Sequence, residues 1–207
     1  MQAELQGIFK QLSKHPCWNV KQGHGSFLTF DFGRPRLFRH AVIARKTGSG
    51  SIPQKTRQVY VWGEWYLRID CCAWAIAQDG KLIAHSESSS EKIRNACTML
   101  NGQKVRGIGI INESSKTTFN FDLGGVLQTW PDSMESNMQW SLRCPRNRIL
   151  AVYPCGRFVY KSLKKNTKGR TPDRLQKIQT PLVGVGFAPG QKFPWQELIK
   201  ERKLDTD

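Results

Sequence analysis

Two stretches of the chain concentrate arginine and lysine, the side chains that bind phosphate groups. Residues 34–57 hold seven basic residues and no acidic one, and residues 143–177 hold eleven basic residues against one acid, Asp173. Both side chains gain free energy on a polyanion because condensed counterions are released, and the guanidinium adds paired hydrogen bonds. Because these two stretches account for the whole formal charge of +16, the remainder of the chain is close to neutral. The pattern therefore predicts one localised cationic surface.

We expect that surface to bind nucleic acid, either DNA or RNA, free or within a nucleoprotein complex. The candidate binding residues are Arg34, Arg36, Arg39, Arg45, Lys46, Arg57, Arg146, Arg148, Arg157, Lys161, Lys164, Lys165, Lys168 and Arg170. Tyr153, Phe158 and Tyr160 alternate with the second basic stretch, and they either stack on exposed bases or fill the core. Because the sequence contains no helix-turn-helix, zinc-finger or RNP motif, sequence-specific reading is not expected.

The histidines, cysteines and glycines form no recognisable catalytic, metal-binding or phosphate-binding motif. Zinc sites use closely spaced ligand pairs such as C-x2-C, whereas Cys144 and Cys155 are eleven residues apart. His15 lies close to Cys17, but no spacing rule favours a nucleophile and base at these positions. Residues 48–51 (GSGS) do not match a G-x-x-x-x-G-K-[ST] phosphate loop. We therefore expect a non-enzymatic protein with no metal and no cofactor.

Asp31 and Asp122 leave one enzymatic alternative open. Each aspartate stands two residues before a glycine in an F-D-x-G segment. If the two carboxylates converged, they could hold a metal ion and give a metal-dependent nuclease. In the other interpretation, each aspartate sets a tight turn by bonding its own backbone.

Composition indicates a folded chain with reduced cysteines. The 207 residues are 39% hydrophobic and include seven tryptophans, which is enough to form a core without disulfides. Five of the tryptophans either fill that core or lie at an interface: Trp62, Trp65, Trp74, Trp130 and Trp140. Residues 1–20 lack the apolar segment of a secretory signal, and no apolar run reaches membrane-spanning length. We expect reduced thiols and a cytoplasmic location without membrane contact.

Hydrophobic periodicity predicts an α+β fold, mainly antiparallel β-sheet with two short helices packed on it. One helix spans residues 3–13, and the second begins at residues 88–91 (SSSE) and ends at Asn101-Gly102. A short closing helix is expected over residues 195–204. Two strand pairs are expected early in the chain, with Asp79-Gly80 as a tight turn after the second. These pairs are residues 26–33 with 36–45, and residues 58–70 with 72–77.

One order of elements occurs twice along the chain. A helix, a strand with the F-D-x-G segment and a strand with a W-x-L-R segment follow one another in both halves. This self-similarity predicts an internal duplication. The expected division is a first α+β repeat over residues 1–86 with a basic loop at 34–57, a second repeat over 87–163, and a basic tail over 164–207.

The sequence also resembles a group of uncharacterised bacterial proteins. The resemblance lies in residues 63–74 (GEWYLRIDCCAW), 100–102 (LNG), 118–127 (TFNFDLGGVL) and 139–142 (QWSL), and it covers roughly residues 60–160. It implies a bacterial cytosolic origin, and no activity is established for that group. The basic stretch beyond residue 160 is an addition to the shared pattern.

Four functions are compatible with these features. The leading hypothesis is a non-enzymatic protein that binds nucleic acid or a nucleoprotein complex. A protein-binding module of the immunity or inhibitor type, capping an acidic partner, would use the same charge together with the many tryptophans. A metal-dependent nuclease and a structural role in a larger assembly are the remaining alternatives.

Overall fold

The structure, a computed structural model, describes most of the chain up to residue 163 and two short strands beyond it. The described residues are 2–39, 43–45, 54–57, 59–111, 116–132, 137–163, 176–177 and 182–183. The predicted helix over residues 195–204 lies outside them. So do five candidate binding residues, which are Lys46, Lys164, Lys165, Lys168 and Arg170.

Two helices of eleven residues each form where the sequence predicts them. Helix α1 is Gln2–Leu12 and α2 is Ser90–Leu100. The hydroxyl of Ser89 accepts a hydrogen bond from the Lys92 backbone N–H and so caps α2, as the polar residues before the apolar repeat indicate. No helix in the described part of the chain is long and apolar enough to cross a membrane.

Fifteen strands are described, and all of the pairs between them are antiparallel. In chain order they are β1 (Cys17–Gln22), β2 (Leu28–Arg39), β3 (Ile43–Arg45), β4 (Gln54–Thr56), β5 (Val59–Ile69), β6 (Ala73–Gln78), β7 (Lys81–His85), β8 (Val105–Ile111), β9 (Lys116–Phe121), β10 (Gly125–Trp130), β11 (Trp140–Cys144), β12 (Arg148–Val152), β13 (Arg157–Ser162), β14 (Gln176–Lys177) and β15 (Leu182–Val183). A single 3-10 turn, Pro154–Gly156, joins β12 to β13.

These strands form two large sheets with a shared core between them. The seven-stranded sheet has the order β1-β2-β5-β11-β12-β13-β14, the six-stranded sheet has the order β15-β8-β9-β10-β6-β7, and β3 pairs with β4 alone. The rings of Phe30 and Phe121, one from each sheet, stack with centroids 6.4 Å apart. The predicted α+β fold, with mainly antiparallel sheet and two helices, is confirmed.

Both of the predicted strand pairs are wrong. Residues 36–39 do not turn back on residues 26–33, because β2 continues through both segments and pairs with β5. The register shifts between Phe32 and Pro35, where Gly33 adopts a φ of +73° that suits glycine, so the chain bulges instead of turning. Strands β5 and β6 do not pair either, since the short link between them passes from one sheet to the other.

The two sheets exchange strands between the halves of the chain. Strand β5 of the first half pairs with β11 of the second, and β10 of the second half pairs with β6 of the first. The two sheets therefore share one kind of strand order, in which three neighbouring strands come from one half of the chain and the next two from the other half. These orders are β1-β2-β5-β11-β12 and β8-β9-β10-β6-β7. The internal duplication and the boundaries at residues 86 and 163 stay predictions.

Candidate nucleic-acid interface

The residues of β5 alternate between the core and an outer face of the seven-stranded sheet. Trp65, Leu67 and Ile69 are buried in the core between the sheets. Because successive side chains of a strand point to opposite faces, the residues between them lie on the outer face. These outer residues are Tyr60, Trp62, Glu64, Tyr66 and Arg68.

One end of the β2–β5 pair extends beyond its neighbours in the sheet. Arg143 is the last residue of β11 that pairs with β5, and it stands opposite Tyr66. Strand β1 pairs with β2 only as far as Phe32. Residues 35–39 and 59–63 therefore form a two-stranded ribbon that pairs with no other described strand.

Four aromatic side chains form a cluster on the outer face of this ribbon and at its base. The ring centroid of Trp62 lies 5.0 Å from that of Phe38, 6.2 Å from that of Tyr60 and 5.7 Å from that of Tyr66. Phe38 and Tyr60 stand opposite each other in the strand register and are 37% and 39% exposed. We call these four residues the aromatic cluster.

Strand pairing brings a cation from each basic stretch to the neighbourhood of Trp62. Arg36, from the first stretch, stands directly opposite Trp62 in the β2–β5 register. The guanidinium carbon of Arg143, from the second stretch, lies 4.8 Å from the centre of the Trp62 ring, in cation–π contact. The pairing of β5 with β11 is what brings the two stretches together, although they are far apart along the chain.

The structure brings four of the nine described candidate cations, together with Arg143, to the same end of the sheet. Arg34 and Arg36 lie on the exposed half of β2, and Arg146 is exposed in the turn between β11 and β12. Lys161 is in line with Arg143 across the sheet, since both pair with Ile149, and it is also exposed. We call these five residues the cationic rim, comprising Arg34, Arg36, Arg143, Arg146 and Lys161.

The other described candidates occupy different positions. Arg39 alternates with Phe38 and so points to the other side of the ribbon, while Arg57 is exposed just before β5.

Arg148 faces inward, 3.9 Å from the centre of the Tyr160 ring, and bonds Glu4 at 3.1 Å. Arg157 stands at the opposite end of β13 from Lys161, and its Nε donates to the Pro154 carbonyl at 3.2 Å. Arg45 lies in β3.

One carboxylate lies within the cationic rim. A guanidinium nitrogen of Arg36 bonds Glu64 Oε1 at 2.6 Å. The hydrogen bond from Arg36, supported by the nearby charge of Arg34, holds the pKa of Glu64 below its ordinary value. Within the described residues, no carboxylate forms an ion pair with Arg143 or Arg146.

Two of the three aromatic residues near the second basic stretch pack in or against the core. Phe158 is buried, and Tyr160 packs against the core beneath Arg148. Among the tryptophans, Trp65, Trp74 and Trp140 are also core residues. The aromatic cluster was not predicted from the sequence. A signal for it was present, since Glu64 and Arg68 at alternate positions of β5 mark the face on which Trp62 lies.

The two aspartates considered for a nuclease serve local structure. Asp31 is 1% exposed inside β2, where its carboxylate accepts hydrogen bonds from Gly63 N and Asn19 Nδ2, both at 2.7 Å. Asp122 follows β9 in the other sheet and accepts a hydrogen bond from Lys104 N at 2.7 Å. In the part of the chain that the structure describes, no group of three His, Cys, Asp or Glu residues could hold a metal ion.

None of the six cysteines forms a disulfide bond. Cys17, Cys72, Cys97 and Cys144 are buried, whereas Cys71 and Cys155 are exposed. Burial raises the pKa of Cys97 to about 11 and that of Cys144 to about 12.

Comparisons of the chain with protein-family models, with curated proteins and with solved structures give no significant match. The resemblance to a bacterial group therefore stays a prediction. The fold and the interface define an α+β protein with two antiparallel sheets and a cationic, aromatic outer face.

Proposed function

We propose that this protein binds nucleic acid, free or in a nucleoprotein complex, without catalysing a reaction on it. The binding surface is the outer face of the seven-stranded sheet, where the cationic rim adjoins the aromatic cluster. The observation that carries the proposal is the contact of Arg143 with the ring of Trp62, because it places a cation of the second basic stretch beside the strand that pairs with Arg36 of the first. A bacterial, cytoplasmic location is part of the proposal and rests on the sequence alone.

Charge and exposure support this assignment. The rim draws cations from both basic stretches, and Glu64 is the acidic side chain among them. Each phosphate that such a cation neutralises releases counterions, so affinity falls as salt rises. Arginine suits the role because its fork of donors matches two phosphate oxygens at once.

The test removes one cation of each basic stretch in the double variant Arg34→Ala/Arg146→Ala. At about 0.7 kcal/mol for each exposed charge contact, affinity for a labelled oligonucleotide falls about tenfold. The slope of log affinity against log salt shrinks by roughly 1.5, since each phosphate contact contributes about 0.7 to 0.9. Fluorescence anisotropy over a salt series measures both quantities.

The matched control is Lys92→Ala/Arg94→Ala, which removes two exposed charges from α2. It has the same net charge as the double variant of the rim, so a general electrostatic effect would weaken both equally. Equal losses in the two variants, or no binding by the wild type, would contradict the proposal.

A protein-binding module is the second candidate, because the other side of the ribbon exposes apolar side chains next to Arg39. Leu37, Val59 and Val61 are 57%, 49% and 48% exposed there. Exposed apolar residues in a group mark protein interfaces more often than phosphate sites. If Leu37→Ser/Val61→Ser abolished copurification of an acidic protein while the Arg34→Ala/Arg146→Ala variant kept wild-type oligonucleotide affinity, this second function would replace the first.

A further inference from the structure

We infer that the ligand of this protein is duplex DNA, and that the ribbon of residues 35–39 and 59–63 enters its major groove. The inference rests on the proposed function and specifies its ligand. It is carried by the projection of the ribbon from the sheet, by the cations near its far end and by the apolar pair that it exposes.

The ribbon extends well beyond the strands that flank it. Strand β1 pairs with β2 only as far as Phe32, and β11 pairs with β5 only as far as Tyr66. At about 3.3 Å per residue, residues 35–39 alone extend about 16 Å. The major groove of B-DNA is about 12 Å wide and about 8.5 Å deep, and it admits a two-stranded β-ribbon. The ribbon is therefore long enough to reach the floor of the groove while its base stays outside.

Strands β3 and β4 belong to the same antiparallel hairpin as the ribbon. Arg39 pairs with Val59 and Ile43 pairs with Thr56, so three residues separate the two pairs on one side and two residues on the other. Among the described strands, β3 and β4 pair only with each other. The hairpin therefore contains two paired segments that neither large sheet extends.

The far end of the ribbon carries positive charge that its own stretch does not neutralise. Residues 34–57 hold seven basic residues and no acid. Arg39 ends β2, Arg57 lies two residues before β5, and both are exposed. Within the described part of the chain, no carboxylate forms an ion pair with either of them. Because phosphates line both walls of the groove, these two cations gain counterion release when the ribbon enters it.

The ribbon also exposes an apolar cross-strand pair, in which Leu37 stands opposite Val61. Phosphate groups offer these side chains no favourable contact. The C5-methyl group of thymine projects into the major groove and accepts apolar contacts, so the groove suits both the cations and the apolar pair. Duplex RNA does not, because its major groove is deep and too narrow for side chains to read.

The experiment measures affinity for a DNA duplex, an RNA duplex and a DNA single strand of one length and equivalent sequence, by fluorescence anisotropy. The ribbon variant Arg39→Ala/Arg57→Ala is compared with the double variant of the rim and with the double variant of α2, all of which lose the same charge. The ribbon variant is expected to bind the DNA duplex about tenfold more weakly, at about 0.7 kcal/mol for each exposed charge contact. Its affinity for the RNA duplex should equal that of the wild type. The rim variant should weaken binding of both duplexes, and the α2 variant of neither.

A second measurement locates the ribbon on the duplex. Bulky substituents on C5 of the pyrimidines fill the major groove, whereas netropsin fills the minor groove of A·T sequences. The substituted duplex is expected to bind the wild type as weakly as the plain duplex binds the ribbon variant. Netropsin should leave the affinity for the plain duplex unchanged.

Thermal unfolding verifies that the variants fold, as expected for substitutions of exposed arginines. Equal wild-type affinity for DNA and RNA duplexes, tighter binding of the single strand, or competition by netropsin would overturn the inference and leave the proposed function standing. A ribbon variant that weakened RNA and DNA duplexes alike would do the same. Absence of binding to every oligonucleotide would overturn both, as expected if the ribbon contacts a protein instead.

Discussion

Gly63 is the residue that allows β2 and β5 to approach each other at the base of the ribbon. A Cβ there would lie 2.7 Å from Phe32 N and 2.8 Å from the Trp65 carbonyl oxygen, and still closer to the Phe32 carbonyl oxygen. Its backbone N–H donates to the buried carboxylate of Asp31, which fixes the bulge after Phe32. The position of Trp62, one residue away, depends on this approach.

Gly63→Ala is therefore expected to lower the free energy of unfolding by about 1 to 3 kcal/mol, as overpacking of a close contact does. Gly7→Ala is the control, because no atom lies within 4 Å of a Cβ at that position in α1. The control should be neutral or stabilising by roughly 0.5 to 1 kcal/mol, since alanine favours helix over glycine. Denaturant titration of the three proteins measures the difference, and equal stability of Gly63→Ala and wild type would refute the argument.

At the scale of elements, the ends of helix α2 are defined by local sequence signals. Ser89 caps the first turn, and Asn101 ends the helix with its N–H bonded to the carbonyls of Cys97 and Thr98. Such signals act over three or four residues and are readable from the sequence. The strand pairs that the sequence analysis placed wrongly depend instead on a bulge and on a crossing between sheets, which local patterns do not encode.

Removal of the cap in Ser89→Ala should destabilise the protein by about 1 kcal/mol, because the Lys92 N–H loses its acceptor. Ser90→Ala is a suitable comparison, since Ser90 is the first residue of the helix itself and alanine has a high helix propensity. Thermal or denaturant unfolding of both variants gives the answer. A loss as large in Ser90→Ala as in Ser89→Ala would show that the cap is not the cause.

At the scale of the whole molecule, the sequence predicts the fold class and the charge of the interface but not its construction. The two described helices and the mainly antiparallel sheet follow from periodicity, and the two basic stretches follow from composition. The contact of Arg143 with Trp62 depends on the β5–β11 pairing, which joins distant parts of the chain. No local signal specifies that pairing, so the approach of Arg143 to the aromatic cluster could not be predicted from the sequence.

Burial across the whole fold also predicts which thiols react. In native protein at mildly alkaline pH, Ellman's reagent should modify the two exposed cysteines, Cys71 and Cys155, quickly. The four buried cysteines should stay unreactive, because the fold excludes the reagent and burial raises the pKa of Cys17 and Cys144 to about 12, keeping them as thiols. All six should react in denaturant, and rapid modification of more than two in the native state would contradict the described core.

The exchange of strands between the two sheets has a consequence for synthesis on the ribosome. When the first half has emerged, β5 lacks β11 beside it and β6 lacks β10, so both strands present open edges. Neither sheet can close until residues of β10 and β11 have left the exit tunnel. The two sheets are therefore expected to close only after β11 has emerged, and the nascent first half is the stage most exposed to aggregation and to chaperones.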